Sequence, residues 1–293
     1  MFWRTAKLGF CKMMNKWQCG DFSFSLDRPL VMGIVNITPD SFSDGGQFVN
    51  AKDAVTHGLK LLEEGADILD IGGESTRPGA ESVSVEDEKA RVLPVIEKLA
   101  AHGAAVSADT MKPEVMKSAL SAGACILNDV CGFCAPETEA VVAGSTCGAV
   151  AMHMKGTPRT MQTAPHYDNV CEEVGEFLQQ RARALVAAGV SSSRICLDPG
   201  IGFGKTTAHN LELLRNLSEL GGEYPVLVGV SRKALLGELS GEQSPQGRDV
   251  ASAVAAAILS QHGAAVLRVH NVAATRQALA CAAALLESDM ESD

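Results

Sequence analysis

Val266 to Ala274 (VLRVHNVAA) and Val31 to Ile37 (VMGIVNI) each begin as an apolar stretch with the character of a buried strand and end in polar or charged residues. In the first these are Arg268 and His270; in the second, Asn36. The same habit recurs in Ile68 to Glu74 (ILDIGGE), Val106 to Asp109 (VSAD), Ile126 to Asp129 (ILND), Val150 to His153 (VAMH), Ile195 to Asp198 (ICLD) and Leu227 to Lys233 (LVGVSRK). If these eight segments are parallel strands, their carboxyl ends meet at one face, and residues distant in the chain converge on one pocket.

Helical patterns follow the strands at Ala51 to Glu64, Val85 to Ala101, Pro113 to Ala122, Pro136 to Ser145, Asp168 to Ala188, Ala208 to Leu220, Asp249 to His262 and Val272 to Glu287. The alternation predicts an α/β fold, a single (β/α)8 TIM barrel, with a doubly wound open sheet as the alternative. Trp17 to Leu26 alternates around Gly20 and Asp21 as a hairpin would, and is placed to close the bottom of the barrel. The expected division is residues 1–29 as extension and hairpin, 30–288 as the barrel domain and 289–293 as an acidic tail. Asn36 to Asn50 and Glu74 to Ser84 follow strand ends, are rich in Gly, Pro, Ser, Thr and Asp, and read as lids over an active site.

Apolar residues make up 46% of the chain and aromatics 4%, so the core must be aliphatic, as suits a parallel sheet under helices. A formal net charge of -10 argues against nucleic acid as a partner, although a few convergent cations still suit an anionic small molecule. Nine cysteines with no disulfide-like framework point to a reducing cytoplasm, and Cys131 and Cys134 form a lone CxxC of little weight. Val250 to Leu267 carries no Lys, Arg, Asp or Glu but is too polar for a membrane span, and reads as a helix followed by a buried strand. Gly200 to Thr206 (GIGFGKT) is not a phosphate loop, since the spacing demands glycine where Pro199 stands. A loop shaped around a flat ligand explains it better, with Phe203 either stacking on that ligand or packing internally.

Asp109, Asn128 and Asp198 stand at three strand ends. Any one of them alone is most simply a helix cap, but together they suit a heterocycle with several N–H donors. Arg268 and His270, two apart on a strand, face the same side and offer an anion donors together with Lys233.

Here the residues amount to a resemblance. VMGIVNITPDSFSDGG (31–46), ILDIGGESTRPGA (68–80), DPGIGFGK (198–205), VSRK (230–233) and LRVHNV (267–272) resemble the signatures of the dihydropteroate synthase family. The resemblance implies an enzyme that joins a dihydropterin, carried as its 6-hydroxymethyl diphosphate, to 4-aminobenzoate with release of diphosphate, usually as a homodimer and with Mg²⁺. By position, Asp109, Asn128, Val130, Met152, Asp198 and Lys233 would hold the pterin, with Arg268 along its face. Asn36, Arg77, Arg268 and His270 would take the diphosphate, with Asn36 on the metal. Phe42, Thr76, Pro78, Gly202, Phe203 and Ala234 would surround aminobenzoate, the substrate that sulfonamides mimic. Asp109, Lys233, Arg268, His270 and Arg77 are the expected catalytic set.

This chain departs from the family pattern at Ala234, where a serine is common, and at Asn271, where an aspartate is common. The first touches the aminobenzoate carboxylate; the second removes a charge behind the site. A pterin-binding methyltransferase of the methyltetrahydrofolate and corrinoid type is the alternative enzyme, and a non-catalytic pterin-binding paralogue the alternative of another class.

Overall fold

The computed structural model describes residues 15–37, 47–75, 82–157 and 160–286. After a hairpin of β1 (Lys16–Cys19) and β2 (Phe22–Ser25), eight parallel strands form a closed barrel. In chain order they are β3 (Leu30–Asn36), β4 (Ile68–Gly72), β5 (Val106–Asp109), β6 (Ile126–Asp129), β7 (Gly148–Met152), β8 (Ile195–Asp198), β9 (Val226–Val228) and β10 (Ala264–Val269), and β10 pairs back with β3. The closed barrel bears out the expected α/β TIM fold and rules out an open sheet.

Strand residues alternate between two apolar layers because successive side chains point to opposite faces. Val31, Leu69, Ile71, Val106, Leu127, Ile195 and Leu267 face outward and pack beneath the helices. Leu30, Met32, Ile68, Ile126, Val150, Cys196, Leu227 and Val266 face inward and fill the lower barrel. Trp17 and Cys19 of the hairpin join that inner layer, fully buried. Trp17 Nε1 donates to the Arg194 carbonyl at 2.9 Å, so the indole is satisfied as well as buried. Gly148 makes room for the plug, since a Cβ there would collide with Cys19 Sγ. The hairpin therefore closes the amino-terminal end of the barrel, opposite the polar strand ends.

Around the barrel run α1 (Gln47–Glu63), α2 (Val85–Ala101), α3 (Pro113–Ser121), α4 (Pro136–Ala143), α5 (Val170–Ala187), α6 (Thr207–Arg215), α7 (Leu217–Leu220), α8 (Ala234–Ser240), α9 (Asp249–Gln261) and α10 (Val272–Leu286). The helix expected over Ala208 to Leu220 is broken at Asn216, whose side-chain amide donates to the Glu212 carbonyl at 2.8 Å and competes with helix continuation. The uncharged stretch from Val250 resolves into α9 and β10, and among the described residues no helix is long and apolar enough to cross a membrane.

Candidate active site

Above the plug, the inward positions change from apolar to polar. On β4, Ile68 gives way to Asp70; on β6, Ile126 to Asn128; on β8, Cys196 to Asp198; and on β10, Val266 to Arg268. Strand pairing sets Asn36 beside Gly72, Gly72 beside Asp109, and Asp109 beside Asn128. Sequence positions separated by most of the chain thus occupy one ring of the barrel.

Arg268 is the centre of that ring. Its Nε donates to Asp70 Oδ2 at 2.5 Å and an Nη to Asp109 Oδ2 at 2.7 Å, so one guanidinium forks between two strands. Asn128 turns its amide nitrogen toward Asp70 at 3.3 Å, which leaves its carbonyl oxygen to face another donor. Burial works against the charge on Arg268, but Asp70 and Asp109 outweigh it and raise the pKa further. Burial pushes the Asp109 carboxyl well above the usual carboxylate range, with Arg268 opposing and Asp70 adding to the rise. Asp70, fully buried, was not among the sequence-derived site residues. Its signal was a lone carboxylate between Leu69 and Ile71 in a strand otherwise apolar.

Asp198 accepts the Gly200 N–H on Oδ1 at 2.7 Å, and burial raises its pKa. Lys233 donates to the Ile201 carbonyl and sits 4.5 Å from the centre of the Phe203 ring. Burial lowers its pKa to about 8, with Asp198 opposing the shift. The loop between Asp198 and Lys205 folds back on β7 so closely that a Cβ at Gly200 would collide with the His153 carbonyl. Lys205, only 3% exposed, fastens this loop from inside by donating to the Gly200 and Phe203 carbonyls at 2.9 and 3.0 Å and to His153 Nδ1 at 2.9 Å. This lysine is an internal clamp rather than a phosphate ligand, as Pro199 implied.

Of the other expected residues, Asn36 and Asp109 stand on either side of Gly72, where a Cβ would be 3.6 Å from Asn36 Oδ1 and from Asp109 Oδ2. Val130 lines a small cavity with Asp109, Thr110, Met111, Glu74 and Glu88. Met152 is buried at the end of β7, and its Cγ would meet a Cβ placed on Gly200. Gly202 lies against the Lys233 side chain. Ala234 is exposed as the first residue of α8. His270 shares a hydrogen bond of 3.0 Å between Nδ1 and Ser231 Oγ. Phe42, Thr76, Arg77 and Pro78 lie outside the described residues.

Two anchors escaped the sequence reading. Lys112 donates to Glu74 and Glu88, both at 2.5 Å, and to the Val83 carbonyl at 2.7 Å, so one ammonium ties both flanks of the segment that carries Arg77. Asn271 donates to Asp249 at 2.9 Å, and Asp249 also takes both arms of the Arg232 guanidinium, at 2.6 and 2.9 Å. Asn271 thus brings a neutral donor to a carboxylate that α9 supplies.

Residues 32–270 match the family described as pterin binding enzyme. The chain is 48% identical over 268 residues to a dihydropteroate synthase of Neisseria meningitidis serogroup C, an alignment covering 90% of this chain and 95% of that one. It superposes on the Xanthomonas albilineans dihydropteroate synthase with 4-aminobenzoic acid at a TM-score of 0.88 and 49% identity, covering 94% of this chain and 99% of the other. The same enzyme in complex with 7,8-dihydropteroate matches at a TM-score of 0.85 and 47% identity, covering 93% and 99%.

Proposed function

The chain belongs to the pterin binding enzyme family, alongside its dihydropteroate synthases, and on that premise we propose that it transfers a 7,8-dihydropterin-6-ylmethyl group from its diphosphate to the amine of 4-aminobenzoate. The products are 7,8-dihydropteroate and diphosphate, in folate synthesis. Arg268, forked between Asp70 and Asp109 in a pocket shared with Asn128 and Asp198, is the feature that carries this assignment. Finding dihydropteroate by mass spectrometry after mixing protein, pterin diphosphate, 4-aminobenzoate and Mg²⁺ tests it.

In this reading Asp109, Asn128 and Asp198 accept the N–H edge of the pterin, Val130 and Met152 pack on its ring, and Lys233 donates to it. Arg268 lies along the ring with His270, Asn36 and Arg77 toward the diphosphate. Gly202, Phe203 and Ala234 border aminobenzoate with Phe42, Thr76 and Pro78. The barrel, over 30–288, acts as one pterin-binding unit.

Diphosphate leaves readily only when its charge is neutralised, and in this reading Arg268 and His270 help do so. The methylene left behind shares positive charge with the pterin ring, which the Asp109 carboxylate opposes from close range. An arylamine is already uncharged at neutral pH, so it needs positioning more than a strong base. Among the described residues no group of three His, Cys, Asp or Glu is set to hold a metal. A magnesium ion carried by the diphosphate needs few protein ligands, and the amide oxygen of Asn36 suits that role. When bound, the metal would neutralise diphosphate charge.

The pH dependence of kcat/KM for the pterin substrate should report both buried groups. On the acid side activity should fall well above the usual carboxylate range, because the raised pKa of Asp109 means it protonates early. On the alkaline side it should fall near about 8 as Lys233 loses its proton. Lys233→Arg should remove the alkaline limb, since arginine stays charged. A wild-type profile flat from about pH 5 to about pH 9 contradicts this account.

Ala234 offers no hydroxyl to the aminobenzoate carboxylate. At this exposed position a hydrogen bond contributes about 0.5–1.5 kcal/mol. Ala234→Ser should therefore lower the aminobenzoate KM several-fold and leave the pterin KM unchanged. An unmoved aminobenzoate KM in steady-state kinetics places that carboxylate elsewhere.

The enzyme acts in the cytoplasm as a homodimer. Val250, Val254 and Ile258 are 76%, 53% and 53% exposed at successive turns of α9, an apolar stripe suited to a second copy of the chain.

A further inference from the structure

We infer that Asp249 is a positioning residue for Lys233 and acts through Arg232. The inference rests on the transfer reaction proposed above, since Lys233 has work to do only if its pocket holds substrate.

Arg232 takes the left-handed backbone conformation, with φ +60°, which a side chain other than glycine adopts only when its surroundings impose it. Its two neighbours are both committed to the site. Ser231 meets the His270 ring at 3.0 Å, and Lys233 enters the pocket to reach the Ile201 carbonyl and the face of Phe203. The kink between them aims both side chains, so relaxing Arg232 to right-handed backbone would turn the Lys233 ammonium away.

The start of α9 and the turn before it hold Arg232 in place. Its N–H donates to Ser252 Oγ at 3.0 Å, and its carbonyl accepts from Arg248 Nη1 at 3.0 Å. Its guanidinium is gripped at both arms by Asp249 at 2.6 and 2.9 Å. The guanidinium thus points at α9, leaving Lys233 as the cation of the pair that enters the pocket. Asp249 also accepts from Asn271, the residue after His270, at 2.9 Å. One carboxylate therefore ties together the two strand ends that deliver Lys233 and His270. The Arg232 hydrogen bonds hold the Asp249 carboxyl below its ordinary pKa, so it is ionised at neutral pH.

A double-mutant cycle tests the arrangement, because glycine takes left-handed backbone without penalty and needs no clamp. Steady-state kinetics and melting temperatures would be measured on the wild type, Asp249→Asn, Arg232→Gly and the double variant. Asp249→Asn should raise the KM for the pterin diphosphate about tenfold in the wild-type background and less than about twofold in the Arg232→Gly background. Arg232→Gly alone supplies the reference KM against which the double variant is compared. A merely structural Asp249 would lower the melting temperature and leave KM alone, and that result overturns the inference. So does an equal rise in KM in both backgrounds, which would show action through α9 and not through Arg232. If Asp249→Asn does not fold, Arg232→Lys serves instead, since a lysine cannot make the two-armed contact. It should show the same rise in KM, and an unchanged value overturns the inference. Wild-type protein that makes no dihydropteroate would instead defeat the proposed reaction.

Discussion

Asp198→Asn is expected to remove measurable pterin binding while the barrel stays folded. One carboxylate oxygen of Asp198 already accepts the Gly200 N–H, leaving the other for the heterocycle. An asparagine in that place must present its NH2 either to the Gly200 N–H or to a pterin N–H, and both are donors. A buried donor left facing a donor costs about 1–3 kcal/mol, and loss of a charged acceptor adds to that. The expected loss of affinity is therefore about a hundredfold or more by calorimetry. Stability should not suffer. Burial raises the pKa of Asp198, so above its unfolded pKa the native state binds more protons than the unfolded one, and stability falls as pH rises through that window. The neutral amide removes this penalty at neutral pH. Pterin affinity equal to wild type would make Asp198 a loop anchor for Gly200 and nothing more.

Arg268→Lys is expected to lower kcat by about a hundredfold to a thousandfold, the range seen when one charge-stabilising donor is lost from a preorganised site. The substitution keeps the positive charge. It loses the planar fork that reaches Asp70 and Asp109 together, and an ammonium must choose one of them. Whichever carboxylate is abandoned stays buried without its counterion, so the variant should also be less stable by about 3–5 kcal/mol, as when a buried pair is broken. Single-turnover measurements at saturating substrates separate the chemical step from binding. A kcat within about tenfold of wild type would mean that Arg268 serves the barrel's stability rather than the reaction.

Much of this site was legible in the sequence because barrel strands are short and one-directional. A polar residue ending an apolar run of four or five residues stands at the carboxyl face, which is how Asp109, Asn128 and Asp198 were found, while Arg268 was found through its alternation with His270, two positions on. Asp70 was overlooked because it lies inside its run rather than at the end. Its inward direction follows from period two only once the barrel is known to be closed and its lower half filled by Trp17. Pro199 ruled out a phosphate loop at Lys205 but did not say what the lysine does. Its actual partners are carbonyls of its own loop and His153, a fold-back visible only in three dimensions. The short helix α8 escaped because seven residues are too few to display a helical period. The bond from Asn271 to Asp249 was hidden because its partners lie 22 positions apart, on different elements.

The central claim is that the pocket couples departure of diphosphate to capture of the pterin by an arylamine. Its most direct test is continuous measurement of diphosphate release from the pterin diphosphate with Mg²⁺ present, with and without 4-aminobenzoate, alongside quantitation of dihydropteroate. Release should depend on the amine and match dihydropteroate mole for mole. Equal release without 4-aminobenzoate would identify a pterin diphosphate hydrolase, and no release under either condition would leave a pterin-binding protein without this activity.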